Sequence, residues 1–258
     1  MSNRSIHTLL KNWDEECPLT REEAVEVLNL PEEEMDSLME CAYALRTKYK
    51  GKKVSVQLLT NVRSGNCTQN CAYCAQSKDS QAEIEKYKRV SDEKLYGDND
   101  LVDEKHLARH CIGLSGIGFS DEEIEDLADR IREMKKKDTQ ICCSIGFLTE
   151  KQARILKDAG LDRINHNLNS SRSFYPEICT THTYDQRVNN IKMLQSLGFE
   201  ICSGGIVGMG ESKEDIVDML MDLREINPES VPINFLLPIP GTKLADRDIS
   251  ELTPDYCM

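Results

Sequence analysis

The chain has 258 residues, enough for one large α/β domain with a sizeable core. Its 45 acidic and 32 basic residues give a net charge of −13, which excludes a nucleic-acid binder that tracks phosphates with clustered Lys and Arg. There are 11 cysteines and neither a signal-peptide pattern nor a long apolar stretch, so a cytoplasmic chain with reduced thiols and no membrane contact is expected.

Thr20-Arg21-Glu22-Glu23 carries a capping-box pattern and opens a helix, and Pro31 starts a second that runs to about Lys50. Residues 1–50 therefore read as an N-terminal helical extension. Six candidate strands follow: Val54–Val62, Arg109–Leu114, Thr139–Ile145, Asp162–Leu168, Phe199–Ile206 and Val231–Leu237. Between them, Ser120-x-x-Glu123 begins a helix with Ile124, Leu127, Ile131 and Met134 on one face. Lys135-Lys136-Lys137 falls at its end, where cations offset the helix dipole. Ser212-x-x-Asp215 begins another, with Ile216, Met219, Leu220, Leu223 and Ile226. Gly160 and Gly198 suit left-handed helix caps. Between Cys74 and Arg109 only Val90, Leu95, Leu101 and Leu107 offer burial, and Gly97-Asp98-Asn99-Asp100 interrupts any helical period. The strand–helix alternation predicts an α/β fold with a TIM-type (βα) barrel spanning residues 51–258.

The strands alternate where buried parallel strands usually run continuously apolar. Ile141, Cys143 and Ile145 alternate with Cys142 and Ser144. Ile164, His166 and Leu168 alternate with Asn165, Asn167 and Asn169. Phe199 and Ile201 alternate with Glu200 and Cys202. Val231, Ile233 and Phe235 alternate with Asn234. A period of two places the mostly apolar set outward against helices and a polar, thiol-rich set inward, a lining suited to ligands.

Cys67-x3-Cys71-x2-Cys74 is the pattern with the most chemistry. Three thiolates hold three corners of a [4Fe–4S] cube and leave one iron open to a small molecule. Structural zinc needs four ligands, and no second paired half-site follows nearby. With Tyr73 before the last cysteine, the motif resembles the signature of radical S-adenosylmethionine (SAM) enzymes. Cys111, Cys142 and Cys202 occupy like-facing positions on separate strands. Each alone reads as a small buried hydrophobe; together they are placed to converge on a second cluster. Cys17, Cys41, Cys143, Cys179 and Cys257 have no such arrangement and read as structural or incidental.

The stretches SGNCTQNCAYCAQS, CIGLSG, GLDRINHNLNSS, TTHTYDQRVNNI, CSGGIVGMGES and ESVPINFL resemble the biotin synthase family over almost the whole chain. The resemblance implies that Cys67, Cys71 and Cys74 hold a [4Fe–4S] cluster that cleaves SAM to a 5′-deoxyadenosyl radical. It implies that Cys111, Cys142 and Cys202 hold an auxiliary [2Fe–2S] cluster that gives sulfur to dethiobiotin. Arg187 would pair with the methionine carboxylate, although on the residues alone it reads equally as a solvated helix arginine. Asn167 and Asn169 would meet ribose and substrate, and Asn165 and Asn234 the ureido group, whose donors and acceptors match an amide. Gly204, Ile206, Gly208 and Glu211 resemble a SAM-contacting run, with the glycines admitting the ligand. A flavodoxin or ferredoxin would be the electron donor, and the family leaves a homodimer open.

Two departures stand out. The family usually carries Asp where this chain has Asn169. The chain also ends at Cys257-Met258, whereas the family's barrel continues through two more strands, which bring an arginine ligand for the auxiliary cluster. Six strands of an expected eight predict an exposed edge, and the chain reads as a fragment, a truncated product or a short form. Two other outcomes remain: a relative with another substrate, as in cofactor maturation, or a cluster-binding but catalytically silent chain.

Overall fold

The computed structural model describes residues 18–257, so Cys17 lies outside the described residues. Thr20 caps α1 (Arg21–Leu28) with the expected box, its hydroxyl accepting from the Glu23 N–H and the Glu23 carboxylate accepting from the Thr20 N–H. A 3₁₀ turn at Glu32–Glu34 leads into α2 (Met35–Lys50). Then come β1 (Gln57–Arg63), α3 (Asp92–Glu104), β2 (Arg109–Leu114), α4 (Asp121–Met134), β3 (Ile141–Ser144), α5 (Glu150–Asp158) and β4 (Arg163–Asn165). The chain continues through the short α6 (Tyr175–Ile178), α7 (Tyr184–Ser196), β5 (Glu200–Cys202), β6 (Gly205–Val207), α8 (Lys213–Ile226), β7 (Ile233–Phe235) and α9 (Pro254–Cys257). Capping boxes open α4, α5, α7 and α8 at Ser120, Thr149, Thr183 and Ser212, so these helices start abruptly after the loops that leave the strands.

Strands β1 to β5 form one parallel sheet in sequence order, and β6 and β7 form a parallel pair. One level of the sheet runs Leu59, Cys111, Cys142, Arg163, Glu200; two residues further on, it runs Asn61, Gly113, Ser144, Asn165, Cys202. Paired residues of a parallel sheet share a face, so this set faces the barrel interior. The alternate set, Ile112, Cys143, Ile164 and Ile201, is fully buried and packs with Ile124, Leu127, Ile131, Leu156, Ile191 and Leu194 of the helix layer. Each such aliphatic side chain contributes roughly 1.5–3 kcal/mol by leaving water.

The stretch expected as one strand over Phe199–Ile206 is two. A Cβ on Gly204 would sit 1.8 Å from the Pro232 carbonyl oxygen, so the wall bends where two backbones meet. Bridges Asn169↔Gly205 and Cys202↔Ser230 carry pairing across the bend. Helix α3 also departs from expectation, because it runs unbroken through Gly97–Asp100. Lys94 pairs with Asp98 one turn on, Asp98 accepts from the Thr60 hydroxyl, and Asn99 donates to the Met134 carbonyl from a buried position. Val102 is buried there, whereas Leu101 is exposed. The break residues thus face partners that a linear pattern does not show.

The barrel is partial. On β1 the inward Gln57, Leu59 and Asn61 are exposed while the outward Thr60 and Val62 are buried. Among the described residues β1 and β7 are both unpaired edges. Ile233, expected to be covered by helices, is 40% exposed and borders an apolar groove of about 710 Å³ with Val27, Leu38, Leu220 and Phe235. The N-terminal helices reach this side through Arg21 on Asp218 and Arg224 on the Leu19 carbonyl.

Candidate metal and cofactor site

The loop after β1 carries Cys67, Cys71 and Cys74, and it is stapled to the segment between α6 and α7. Asn70 Nδ2 donates to the Thr180 hydroxyl, Asn70 Oδ1 accepts from the Thr180 and Thr181 N–H groups, and Ala72 N–H donates to the Ile178 carbonyl. A cavity of about 300 Å³ results, lined by all three cysteines and by Tyr73, Asn165, Asn167, Asn169, Arg187 and Ile206. Phe147, His166, His182 and Gln69 also line it, none of them foreseen as site residues. Burial pushes the Cys74 thiol up, against the backbone N–H groups of Gln76 and Ser77.

Arg187 is not a solvated helix arginine. Its guanidinium donates to the Asn167 carbonyl at 3.1 Å, to His182 Nε2 at 2.9 Å and to the Tyr175 hydroxyl. Burial pushes the Tyr175 phenol up to about 12, so this partner is a neutral hydroxyl. Burial and then the Arg187 charge hold His166 down at about 3, so its imidazole is neutral. Among the described residues lining the cavity, the fixed cation is Arg187, suited to a carboxylate.

The asparagines differ in how free they are. Asn165 Oδ1 is buried without a partner, and its Nδ2 lies 3.8 Å from Cys142 Sγ. Asn167 Oδ1 accepts from the Gly204 N–H. Asn169 has a left-handed backbone, φ 73°, and its main chain bonds both Gly204 and Ile206. Asn234 lies outside the cavity, exposed, with Nδ2 donating to the Gly205 carbonyl. Gly204 and Gly208 do not line it either; Pro232 and Leu252 occupy the space a Cβ would need. Glu211 caps that turn by accepting from the Gly208 N–H, so this run shapes the wall, and Ile206 alone of it reaches the cavity.

Cys111 and Cys142 face each other across β2 and β3 and are joined as a disulfide. Cys202 is a half-buried free thiol, level with Asn165 one inward position further on. Beside them Arg109 and Arg163 both donate to the Glu200 carboxylate. A second cluster requires the disulfide opened to thiolates; the donor set, three cysteine sulfurs on neighbouring inward positions, then suits iron–sulfur coordination.

One cysteine read as incidental is not isolated. Cys179 Sγ lies 3.8 Å from Cys71 Sγ and 3.3 Å from His182 Nδ1. The hydrogen bond from Cys71 favours the Cys179 thiolate against burial, with help from His182 and Thr181, while that same bond to Cys179, and then burial, push the Cys71 thiol up. No sequence spacing pairs residues 71 and 179; the bonds of Gln69, Asn70 and Ala72 to the segment between α6 and α7 bring them together.

The residues present fit a [4Fe–4S] cluster with one open iron. Three thiols of one loop meet in one cavity that also holds an unpartnered amide oxygen and a fixed guanidinium. The family model for the radical SAM superfamily matches residues 61–223. The chain belongs to that superfamily, whose chemistry rests on a [4Fe–4S] cluster and SAM. It is 42% identical to the biotin synthase of Geobacillus kaustophilus (strain HTA426), over 93% of this chain and 72% of that protein. It is 40% identical to the biotin synthase of Bacillus subtilis (strain 168), over 93% and 71%. Within the superfamily the chain belongs to the biotin synthase family. Among solved structures, methylornithine synthase superposes with a TM-score of 0.82 at 18% identity, covering 95% of this chain and 72% of that one. A maturase of the [FeFe]-hydrogenase superposes at 0.79 and 19% identity, covering 97% and 57%. Both share the fold. Among the described residues no helix is long and apolar enough to cross a membrane.

Proposed function

We propose that this chain converts dethiobiotin to biotin as a radical SAM sulfurtransferase. Cys67, Cys71 and Cys74 would hold a [4Fe–4S] cluster, and Cys111, Cys142 and Cys202 an auxiliary [2Fe–2S] cluster. When bound, the first supplies the electron that cleaves SAM to the hydrogen-abstracting radical, and the second supplies sulfur. Arg187 would hold the SAM carboxylate, releasing its bond to His182 while keeping Tyr175 and the Asn167 carbonyl. Phe147 and Ile206 would exclude water from the reacting carbon. The observation that carries the reading is Asn165. It lines the cavity of the first cluster's cysteines, its amide nitrogen lies against Cys142, and its buried oxygen is free to accept a ureido N–H.

The electron would come from a flavodoxin- or ferredoxin-type donor. The two parts of the proposal separate in one experiment. After anaerobic reconstitution and reduction, 5′-deoxyadenosine release reports SAM cleavage, and biotin formation from dethiobiotin reports sulfur insertion. Both are expected. Cleavage that dethiobiotin does not stimulate, with no biotin formed, would point to another substrate.

A further inference from the structure

We propose that the cluster-free chain carries a mononuclear site for a thiophilic divalent cation of the zinc(II) or iron(II) class, built from Cys71, Cys179 and His182. The three offer ligand atoms that all lie within 4.8 Å of one another. With Zn–S near 2.3 Å and Zn–N near 2.0–2.1 Å, a tetrahedral ion places two sulfurs about 3.8 Å apart and a sulfur and nitrogen about 3.6 Å apart. The Cys71–Cys179 sulfur distance is 3.8 Å, and Cys179 Sγ lies 3.7 Å from His182 Nε2. Two edges of the coordination tetrahedron are thus in place, and the third, from Cys71 to His182, lies within 4.8 Å.

The histidine tautomer is set for this use. Arg187 donates to Nε2, so Nε2 carries a lone pair and the ring proton sits on Nδ1, which faces Gln69 Oε1 at 2.9 Å. A metal at Nε2 takes over that lone pair from Arg187 and leaves the Nδ1–H to Gln69 bond intact. A metal-bound histidine whose other nitrogen donates to a carbonyl is the usual arrangement. Cys71 Sγ donates to Cys179 Sγ, so binding releases the Cys71 thiol proton to solvent, no electrons move, and the two thiolates neutralise the dication. The scaffold is the Asn70 staple, with Cys179 and His182 both buried. Water completes the fourth position.

Cys71 is shared with the Cys67-x3-Cys71-x2-Cys74 motif, so the mononuclear ion and the cluster exclude each other. The site is independent of which substrate the enzyme takes.

The experiment uses the metal-free, reduced full chain with one equivalent of Zn²⁺ and alkylates its thiols, locating the label by peptide mass. Cys71 and Cys179 should be protected together, by about tenfold or more in rate, while Cys67 and Cys74 react as in the metal-free chain. Protection of Cys67, Cys71 and Cys74 with Cys179 still reactive would place zinc on the motif and overturn the proposal, as would protection confined to Cys111, Cys142 and Cys202. Competition with a chromophoric chelator adds a second readout, with folding of each variant checked by circular dichroism. Cys179→Ser and His182→Gln should each weaken zinc binding about tenfold or more, and unchanged affinity in either would overturn the site.

Discussion

At the scale of single residues, Asn169 separates backbone from side-chain roles. Its φ of 73° lies where asparagine is tolerated and a β-carbon without a local hydrogen bond is penalised by about 1–2 kcal/mol. Asn169→Ala should therefore lower the urea midpoint by an amount equivalent to about 1 kcal/mol, and Asn169→Gly by less. Both remove the amide that lines the cavity, so both should weaken SAM equally. Equal stability in the two variants would show that the left-handed backbone carries no weight. Arg187 makes the complementary case. Lysine keeps the charge but cannot reach Tyr175, His182 and the Asn167 carbonyl together. Arg187→Lys should weaken SAM binding to the reconstituted protein by about tenfold or more, measured by equilibrium dialysis. Unchanged affinity would remove Arg187 from the carboxylate role. The sequence alone left this arginine between cavity and solvent, since a guanidinium on a polar helix face is compatible with both.

At the scale of elements, the start of α8 ties the wall to the loop after β4. Asp215 accepts from the hydroxyls of Ser171 and Ser173 through one oxygen and from Ser212 through the other. Burial alone would raise its pKa, but these donors outweigh it and hold the carboxyl at about 2, against an ordinary 3.8. The folded value is the lower one, so the unfolded chain binds the proton first as pH falls. The contribution is complete above about pH 4 and is lost toward pH 2. Asp215→Asn should flatten the acid limb of the stability–pH curve in that window and leave its shape above pH 5 unchanged; an unaltered acid limb would refute the assignment. Ser212→Ala, which removes the cap itself, should cost about 1 kcal/mol at neutral pH.

The boxes at Ser120 and Ser212 were readable because both partners sit three residues apart in the chain. The same locality made the Cys67–Cys74 motif and the inward parity of Asn165 and Cys142 legible. The continuity of α3 was not, because Asp98 and Asn99 are satisfied by Thr60 and Met134, tens of residues away. The bend at Gly204 depends on Pro232, and the company of Cys179 depends on Asn70. Where a residue's partner is distant in the chain, a periodicity argument sees an interruption or an orphan.

At the scale of the whole molecule, apolar side chains flank β1 and β7, edge strands unpaired on one side among the described residues. Val54, Val56 and Leu59 are 76%, 57% and 68% exposed beside β1, and Val231 and Leu237 are 45% and 75% exposed beside β7. An uncovered edge with free N–H and C=O groups is a template for another strand, and apolar flanks add a driving force for pairing. The cluster loop leaves β1 and is held by Thr180, Thr181 and Ile178, none of them at the β7 edge, so β7-edge chemistry and cluster binding should separate. The paired substitution Val231→Lys with Leu237→Lys places like charges along the β7 edge. It should lower concentration-dependent association in sedimentation velocity while leaving iron bound at Cys67, Cys71 and Cys74 unchanged. Appending the C-terminal residues of the Geobacillus kaustophilus relative should lower association by a different route, covering the edge instead of charging it. It should also raise biotin formed per chain, because interior residues such as Leu59 and Asn61 would then leave water. Association that neither change reduces would mean that the edges are not the contact, and equal biotin yield with and without the added residues would mean that the open wall does not limit turnover.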